Sequence, residues 1–141
     1  MAGNLIADTI QAASTSTLVL KNGVANTPPT IQDSAGTQIG TFCRAWVNFN
    51  GTGTVAIRAA FNVSSITDNG TGNYTLNFTN AMPDANYCIS GFCNFNQTTA
   101  NAIISANSTY APSTTSVSVQ AQNSTSTSVL DPTYVNVAIF R

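Results

Sequence analysis

The stretch FCRAWVNFNGTGTVAIRAAFNVSSITDNGTGNYTLNF, residues 42–78, decides the fold of this chain. If its first segment is extended, one face carries Cys43, Ala45, Val47 and Phe49. The other face carries Phe42, Arg44, Trp46 and Asn48. This period of two residues is typical of a β-strand with one buried side, so the segment predicts a half-buried strand.

Turn signals divide the rest of this stretch. Residues 50–53, NGTG, and residues 68–70, DNG, supply Asn, Asp and Gly, which accept the positive φ angles that tight turns require. An apolar run occupies residues 55–63, and residues 74–78 alternate again between apolar and polar side chains. The whole stretch therefore predicts a β-meander.

The same residues carry a resemblance to a known family. WVNFNGTGTVAIRAAFNVSSITDNGTGNYTLNF at 46–78, AMPDANY at 81–87 and VNVAIF at 135–140 are similar to the distal domain of bacteriophage tail-fibre proteins. The resemblance is to tailed phages, especially those of marine and cyanobacterial hosts, and it covers roughly the last two-thirds of the chain. Its central motif is long and specific.

The resemblance implies a virion structural protein that attaches to the host or decorates the particle and performs no reaction. It implies a homotrimer on the particle surface, in contact with other virion proteins through its N-terminal segment. A host surface glycan or outer-membrane protein would be the receptor. Residues 1–14 lack the basic and apolar regions of a secretory signal, which fits a virion protein assembled in the host cytoplasm.

The composition is almost free of charge. Charged residues make up 6% of the 141 residues, against roughly 25% in an ordinary soluble domain. The net charge of -1 gives no electrostatic footprint for nucleic acid, and no apolar run approaches the roughly 20 residues that span a bilayer. We therefore expect neither nucleic-acid binding nor membrane insertion. Low charge also removes one guard against edge-to-edge strand association, which favours an obligate oligomer over a simple neutral β-domain.

The N-terminal segment, residues 1–40, differs from the tail-fibre-like domain, residues 41–141. Within it, residues 17–20 and 31–33 predict short strands, and NTPPT at 26–30 predicts a stiff extended connector because its prolines fix φ. The segment has too few core residues to form a domain of its own. It is either an attachment stem that pairs with neighbouring subunits or a first strand pair of its own domain.

Further strands are predicted after the meander, at residues 86–96, 102–108, 113–122 and 134–140. The last of these is apolar on both faces, which indicates a central strand or a subunit contact. Short strands with turns about every eight to twelve residues are typical of an antiparallel sandwich. The fold class predicted is an all-β, jelly-roll-like antiparallel β-sandwich.

The three cysteines are predicted to be reduced. Cys43 shares the apolar face of the first strand, while Cys88 and Cys93 fall on opposite faces of one strand, about 16 Å apart. Only a tight reversal at residues 90–91 could join them. The odd count favours free thiols. The chain has no His and no CxxC pair, so we predict no metal and no cofactor.

Catalysis is not expected. The only carboxylate side chains are Asp8, Asp33, Asp68, Asp84 and Asp131. They lie in the leader or beside turn residues, where an aspartate bonds nearby backbone amides. Without His, no Ser-His-Asp relay can form. A glycosidase-like pair of aspartates stays as the enzymatic alternative.

Two groups of residues are candidates for binding. Uncharged glycans are held by aromatic rings with amide and hydroxyl groups around them, which selects the loop residues Asn96, Gln97, Thr98, Asn107, Thr109 and Tyr110. Tyr110 has a second interpretation, as an interface or rim residue. The candidate subunit interface is Leu18, Leu20, Trp46 and Phe140, with the core as the alternative for Trp46.

Three functions compete at this point. The first is host attachment as part of a tail fibre, and the second is decoration or cementing of the capsid or tail. The third is a cellular carbohydrate-binding module. The resemblance favours the first, although tail fibres usually carry a long N-terminal shaft and here only about 40 residues precede the motif.

Overall fold

The computed structural model describes residues 9–10, 19–20, 23, 28–95, 100–106, 111–124, 126 and 128–141. Every regular element in these ranges is a β-strand, and all paired strands are antiparallel. The prediction of an antiparallel all-β fold is therefore confirmed. In the same ranges, no helix has the length and apolar character needed to cross a membrane.

The strands form two sheets. The small sheet pairs β1 (Ile31–Gln32) with β2 (Gln38–Gly40). The main sheet contains β3 (Cys43–Asn50), β4 (Ala56–Phe61), β5 (Val63–Asp68), β6 (Asn73–Phe78), β7 (Cys88–Phe95), β8 (Ala100–Ser105), β9 (Ser116–Asn123) and β10 (Tyr134–Phe140).

The main sheet curls until its two ends come close, like a nearly closed barrel. Its strand order is β4-β3-β10-β7-β8-β9-β6-β5. The end strands β4 and β5 are consecutive in the chain and are joined through Asn62, whose φ of 56° bends the backbone between them. The two-sheet sandwich is not confirmed, because these eight strands are hydrogen-bonded in one continuous sheet.

The core lies inside this curled sheet. Its side chains come from alternate positions of the strands, and the fully buried ones include Val47, Phe49, Tyr74, Leu76, Val117, Val119, Val135 and Ile139. Phe49 and Tyr74 meet edge to face with their ring centroids 5.0 Å apart. Each large apolar side chain buried in this way contributes about 1.5–3 kcal/mol, so the alternation seen in the sequence is what holds the barrel together.

A hydrogen-bonded cluster around Asp131 ties together the loops at one end of the barrel. The Tyr74 hydroxyl donates to Asp131 Oδ1 at 2.9 Å, and the Gly72 amide donates to the same oxygen at 2.7 Å. The predicted local turn role holds for Asp33, Asp68 and Asp84, each of which accepts from an amide two residues on. For Asp131 it is wrong, because this carboxylate bonds groups 57 and 59 residues away.

Strand predictions succeeded where the pattern was clear. The last strand has the predicted bounds, residues 134–140, and the brief strand predicted at residues 31–33 is found as β1. The apolar run at residues 55–63 is interrupted at Asn62, and the polar segment beyond it forms β5. The proposed boundary at residue 40 falls between the small sheet and the main one, and the division into two domains stays a prediction.

All three cysteines are free thiols in the structure. Cys93 is buried and Cys88 is exposed, in line with the expected opposite faces of one strand. Cys43 is half-buried, and its thiol donates to the carbonyl oxygen of Ala45 at 3.2 Å.

Candidate functional site: an outer aromatic face

The outer side of four neighbouring strands carries a group of exposed rings. On β3 and β10 the odd-numbered side chains enter the core, so the even-numbered ones face outward. Trp46 lies opposite Phe61 of β4 and opposite Ala138 of β10. We define the outer aromatic face by four side chains with these exposed fractions: Trp46 40%, Phe61 54%, Phe92 61% and Tyr134 46%.

A shallow groove of about 300 Å³ runs across this face. Trp46 and Phe92 form its two sides, and the smaller residues Ser90, Asn136 and Ala138 line it between them. The strand register explains this arrangement, since Ala138 is paired with both Trp46 and Ser90 while Asn136 is paired with Phe92. Small side chains in the middle leave the two rings standing above the sheet.

Two amide side chains lie in the middle of the face. Asn48 and Asn136 are paired across β3 and β10, and the Nδ2 of Asn48 donates to the Oδ1 of Asn136. An asparagine side chain offers two N–H donors and a carbonyl oxygen with two lone pairs. The hydrogen bond between them uses one donor and one lone pair, so both amides keep capacity for a ligand.

Arg58 stands at the border of the face. It is the extra residue of a β-bulge in β4, opposite the step from Asn48 to Phe49. Its guanidinium lies 4.3 Å from the centroid of the Tyr134 ring and donates to the carbonyl oxygen of Thr133 at 2.7 Å. The charge is thus held by a cation–π contact and a backbone acceptor beside the groove.

Groups with shifted pKa values lie elsewhere. Burial raises the pKa of Tyr74 well above its usual value, and the hydrogen bond to Asp131 adds to the rise. Burial also raises the pKa of Cys93 to about 11. At the surface, the hydrogen bonds from Arg141 lower the pKa of Asp84, and this pair is the ion pair formed among the described residues.

The described residues contain no group of three or more Cys or Asp side chains placed to hold a metal ion. The outer aromatic face offers ring surfaces, amides and, at its border, the engaged guanidinium of Arg58. Such a surface binds by packing and hydrogen bonding. Aromatic residues and Arg are also enriched, and Lys, Glu and Asp depleted, at protein interfaces.

The predicted site residues fall partly outside the described residues. This holds for all six receptor-loop candidates, Asn96, Gln97, Thr98, Asn107, Thr109 and Tyr110, and for Leu18 of the predicted interface. Leu20 is exposed and Trp46 is central to the outer aromatic face. Phe140 is half-buried on the outer side of β10, the side that also carries Tyr134. The subunit interface stays a prediction.

Sequence reasoning missed most of the face. It did not connect Phe61, Phe92 and Tyr134 with Trp46, or Asn48 with Asn136. A signal was present in β3, β7 and β10, where these residues alternate with core residues, but not in β4, which is exposed throughout. Their convergence required the strand order, in which β10 lies between β3 and β7.

No protein-family model matches the chain, and no curated protein or solved structure is significantly similar to it.

Proposed function

We propose that this chain is a non-enzymatic structural protein of a bacteriophage virion, a tail-fibre-like module for host attachment that works as a homotrimer. The observation that carries the proposal is the outer aromatic face, which exposes four rings on neighbouring strands of a chain with few charged side chains. The resemblance of residues 46–78 to tail-fibre proteins supplies the biological setting.

The exposed rings are large enough to support binding. An aromatic side chain buries about 150–250 Å², so four rings that are about half exposed present roughly 400 Å². At about 25 cal/mol per Å², covering that area is worth ~10 kcal/mol before the costs of association. Those costs are about 4–15 kcal/mol, so we expect contacts of modest affinity that gain strength from several copies.

Attachment can be tested directly on cells. Trp46→Ala removes the central ring, and we expect the variant to bind host cells at least tenfold less than the unaltered protein at equal concentration. Ile39→Ala is the control, because Ile39 is an exposed apolar residue of the small sheet. Attachment through this face is contradicted if both variants bind as the unaltered protein does, or if the unaltered protein does not bind host cells.

A decoration or cement protein of the capsid or tail is the second candidate, and β4 favours it. All six residues of that strand are exposed and five are apolar, although it is hydrogen-bonded to β3. An exposed apolar edge strand suits contacts between neighbouring subunits. Electron microscopy of labelled particles separates the two candidates, since one places the protein at the fibre tip and the other along the shell or tube.

The homotrimer has its own test. Light scattering of the purified protein at micromolar concentration should give three times the monomer mass of 14.6 kDa. A clean monomer would contradict the trimer and leave the attachment proposal to the cell-binding measurement.

A further inference from the structure

We propose that the groove between Trp46 and Phe92 binds a neutral glycan. In this arrangement the sugar rings pack against the two aromatic side chains, and their hydroxyls bond to the amides beneath. The inference deepens the attachment proposal and rests on it, because it names the chemical class of the receptor at the same face.

The spacing of the two rings suits an inserted sugar ring. β10 separates β3 from β7, and Phe92 lies two residues along β7 from Ser90, which is in line with Trp46. With strands ~4.8 Å apart and a rise of ~3.4 Å per residue, the Cα atoms of Trp46 and Phe92 are ~12 Å apart. The side chains of Ala138 and Ser90 are short, so a ligand can contact the bottom of the groove between the two rings.

The polar groups match the hydroxyl rim of a sugar. A pyranose ring has an apolar face of C–H groups and a rim of hydroxyls, and each hydroxyl both donates and accepts. Asn136 lines the groove, and its amide keeps two N–H donors while Asn48 keeps its carbonyl oxygen. Ser90 adds an exposed hydroxyl on the other side.

The charges argue for an uncharged ligand. The groove is lined by uncharged residues throughout. Of the two cations near the face, Arg58 is held by Thr133 and by the Tyr134 ring, and Arg44 lines a separate groove beside Phe61. An anionic sugar would therefore find no cation in the lining of the groove, and a cationic ligand would find no carboxylate there.

The size of the groove fits a short sugar segment. Its volume of about 300 Å³ lies at the lower end of the ~300–1,000 Å³ range of small-ligand sites. A second copy of the chain would also cover the exposed apolar strand β4, and the experiment below separates the two occupants.

A fluorescence titration tests the inference, because Trp46 is the single tryptophan of the chain. The full chain is titrated with neutral hexasaccharides of glucose, galactose, mannose and N-acetylglucosamine. We expect at least one of them to shift the Trp46 emission in a saturable way, with the same Kd at 50 and 500 mM NaCl. The matching uronic-acid oligosaccharides should bind no more tightly.

Two variants assign the effect to the groove. Phe92→Ala and Asn136→Ala should each raise the Kd at least tenfold, while Ile39→Ala leaves it unchanged. Phe92 is mostly exposed and Asn136 lies on the outer side, so both variants should keep the unfolding midpoint of the unaltered protein.

The possible failures differ. If no neutral sugar shifts the emission although the protein binds host cells, the glycan inference is overturned and attachment stands. If the emission instead shifts with protein concentration alone and Phe92→Ala abolishes that shift, a second copy occupies the groove, which also overturns the inference. If the unaltered protein does not bind host cells, the attachment proposal itself is overturned.

Discussion

Strands β4 and β6 come from the same 37-residue stretch of sequence but differ completely in burial. β4, AIRAAF, has five apolar residues out of six, and all six are exposed. β6, NYTLNF, has three, and all three are buried. Burial in this protein therefore follows the position of a strand in the sheet rather than its hydrophobicity.

The strand order supplies the reason. β6 lies between β5 and β9, so a neighbour on each side closes the sheet over its inner side chains. β4 ends the strand order, and the bend at Asn62 turns the chain toward β6 immediately after it. An end strand can be as apolar as a central one and still find nothing to pack against.

The outer sides of the two regions differ as well. Beside β6, polar side chains are joined across the strands: Asn77 Nδ2 donates to Ser65 Oγ and Thr67 Oγ1, and Thr75 Oγ1 is 2.9 Å from Ser118 Oγ. Beside β4, the outer side carries Trp46, Phe61 and other rings. The polar side chains beside β6 bond to one another, whereas the rings beside β4 are exposed.

The largest expected effect comes from truncating one apolar residue in each region. Leu76→Ala empties a fully buried site of β6 and should lower the free energy of unfolding by about 2–5 kcal/mol. Ile57→Ala removes a partly exposed side chain of β4 and should cost less than about 1 kcal/mol. Urea unfolding of both variants measures the difference. Equal losses would show that β4 is buried in the folded protein in solution.

A second comparison separates backbone strain from crowding. Gly53 in the β3–β4 turn has a φ of 66°, and Gly72 in the β5–β6 turn has a φ of 68°. An added Cβ meets nothing within 4 Å at Gly53, but at Gly72 it would lie 2.6 Å from the carbonyl oxygen of Ala121. At either position an alanine must adopt the left-handed backbone conformation, which costs about 1–2 kcal/mol.

Gly72→Ala should therefore destabilise by at least about 2 kcal/mol more than Gly53→Ala, since β9 and the loop beyond it must shift to make room. Thermal unfolding of the two variants checks this order. Similar midpoints would mean that the turn after β5 yields without disturbing Ala121.

These comparisons also show how far sequence alone could go. The alternation at residues 43–49 and 74–78 identified two strands with one buried face, because a period of two is a local property. Residues 134–140 were identified as a strand with apolar residues on both faces, which left its buried face open. β5 was missed, since VSSITD carries few apolar residues and is fixed as a strand by pairing with β6. Local patterns fix which face of a strand is buried, and pairing fixes whether a weak segment is a strand at all.

The candidate site depended even more on long-range order. Trp46 was singled out within its strand, but Phe92 belongs to β7, which is brought near β3 by the return of β10 between them. The pairing of Trp46 with Phe61 depends on the register of β3 and β4, which shifts at a bulge. The role of Asp131 was misjudged for the same reason. Its proximity to Pro132 suggested a local turn, while its partners Gly72 and Tyr74 lie 59 and 57 residues earlier in the chain.

The smallest predicted effect is the change in the free energy of unfolding with pH that Tyr74 of β6 causes. Tyr74 ionises with a raised pKa in the folded protein, chiefly because burial disfavours the phenolate, so the unfolded chain loses this proton first. Stability should be constant with respect to this group below pH ~10 and then fall by up to ~1.4 kcal/mol per pH unit as the pH rises further. Urea midpoints measured from pH 8 to pH 11.5 give the slope.

Tyr74→Phe separates this group from the other titrating side chains. The substitution removes the phenol and its hydrogen bond to Asp131, so it should cost about 1–3 kcal/mol at pH 8. Its slope above pH 10 should be shallower than that of the unaltered protein, with the part due to Cys93 remaining, because burial raises the pKa of that thiol to about 11. If the variant and the unaltered protein have identical slopes, Tyr74 ionises as easily in the folded protein as in the unfolded chain. Water would then reach the Tyr74 hydroxyl in the folded protein.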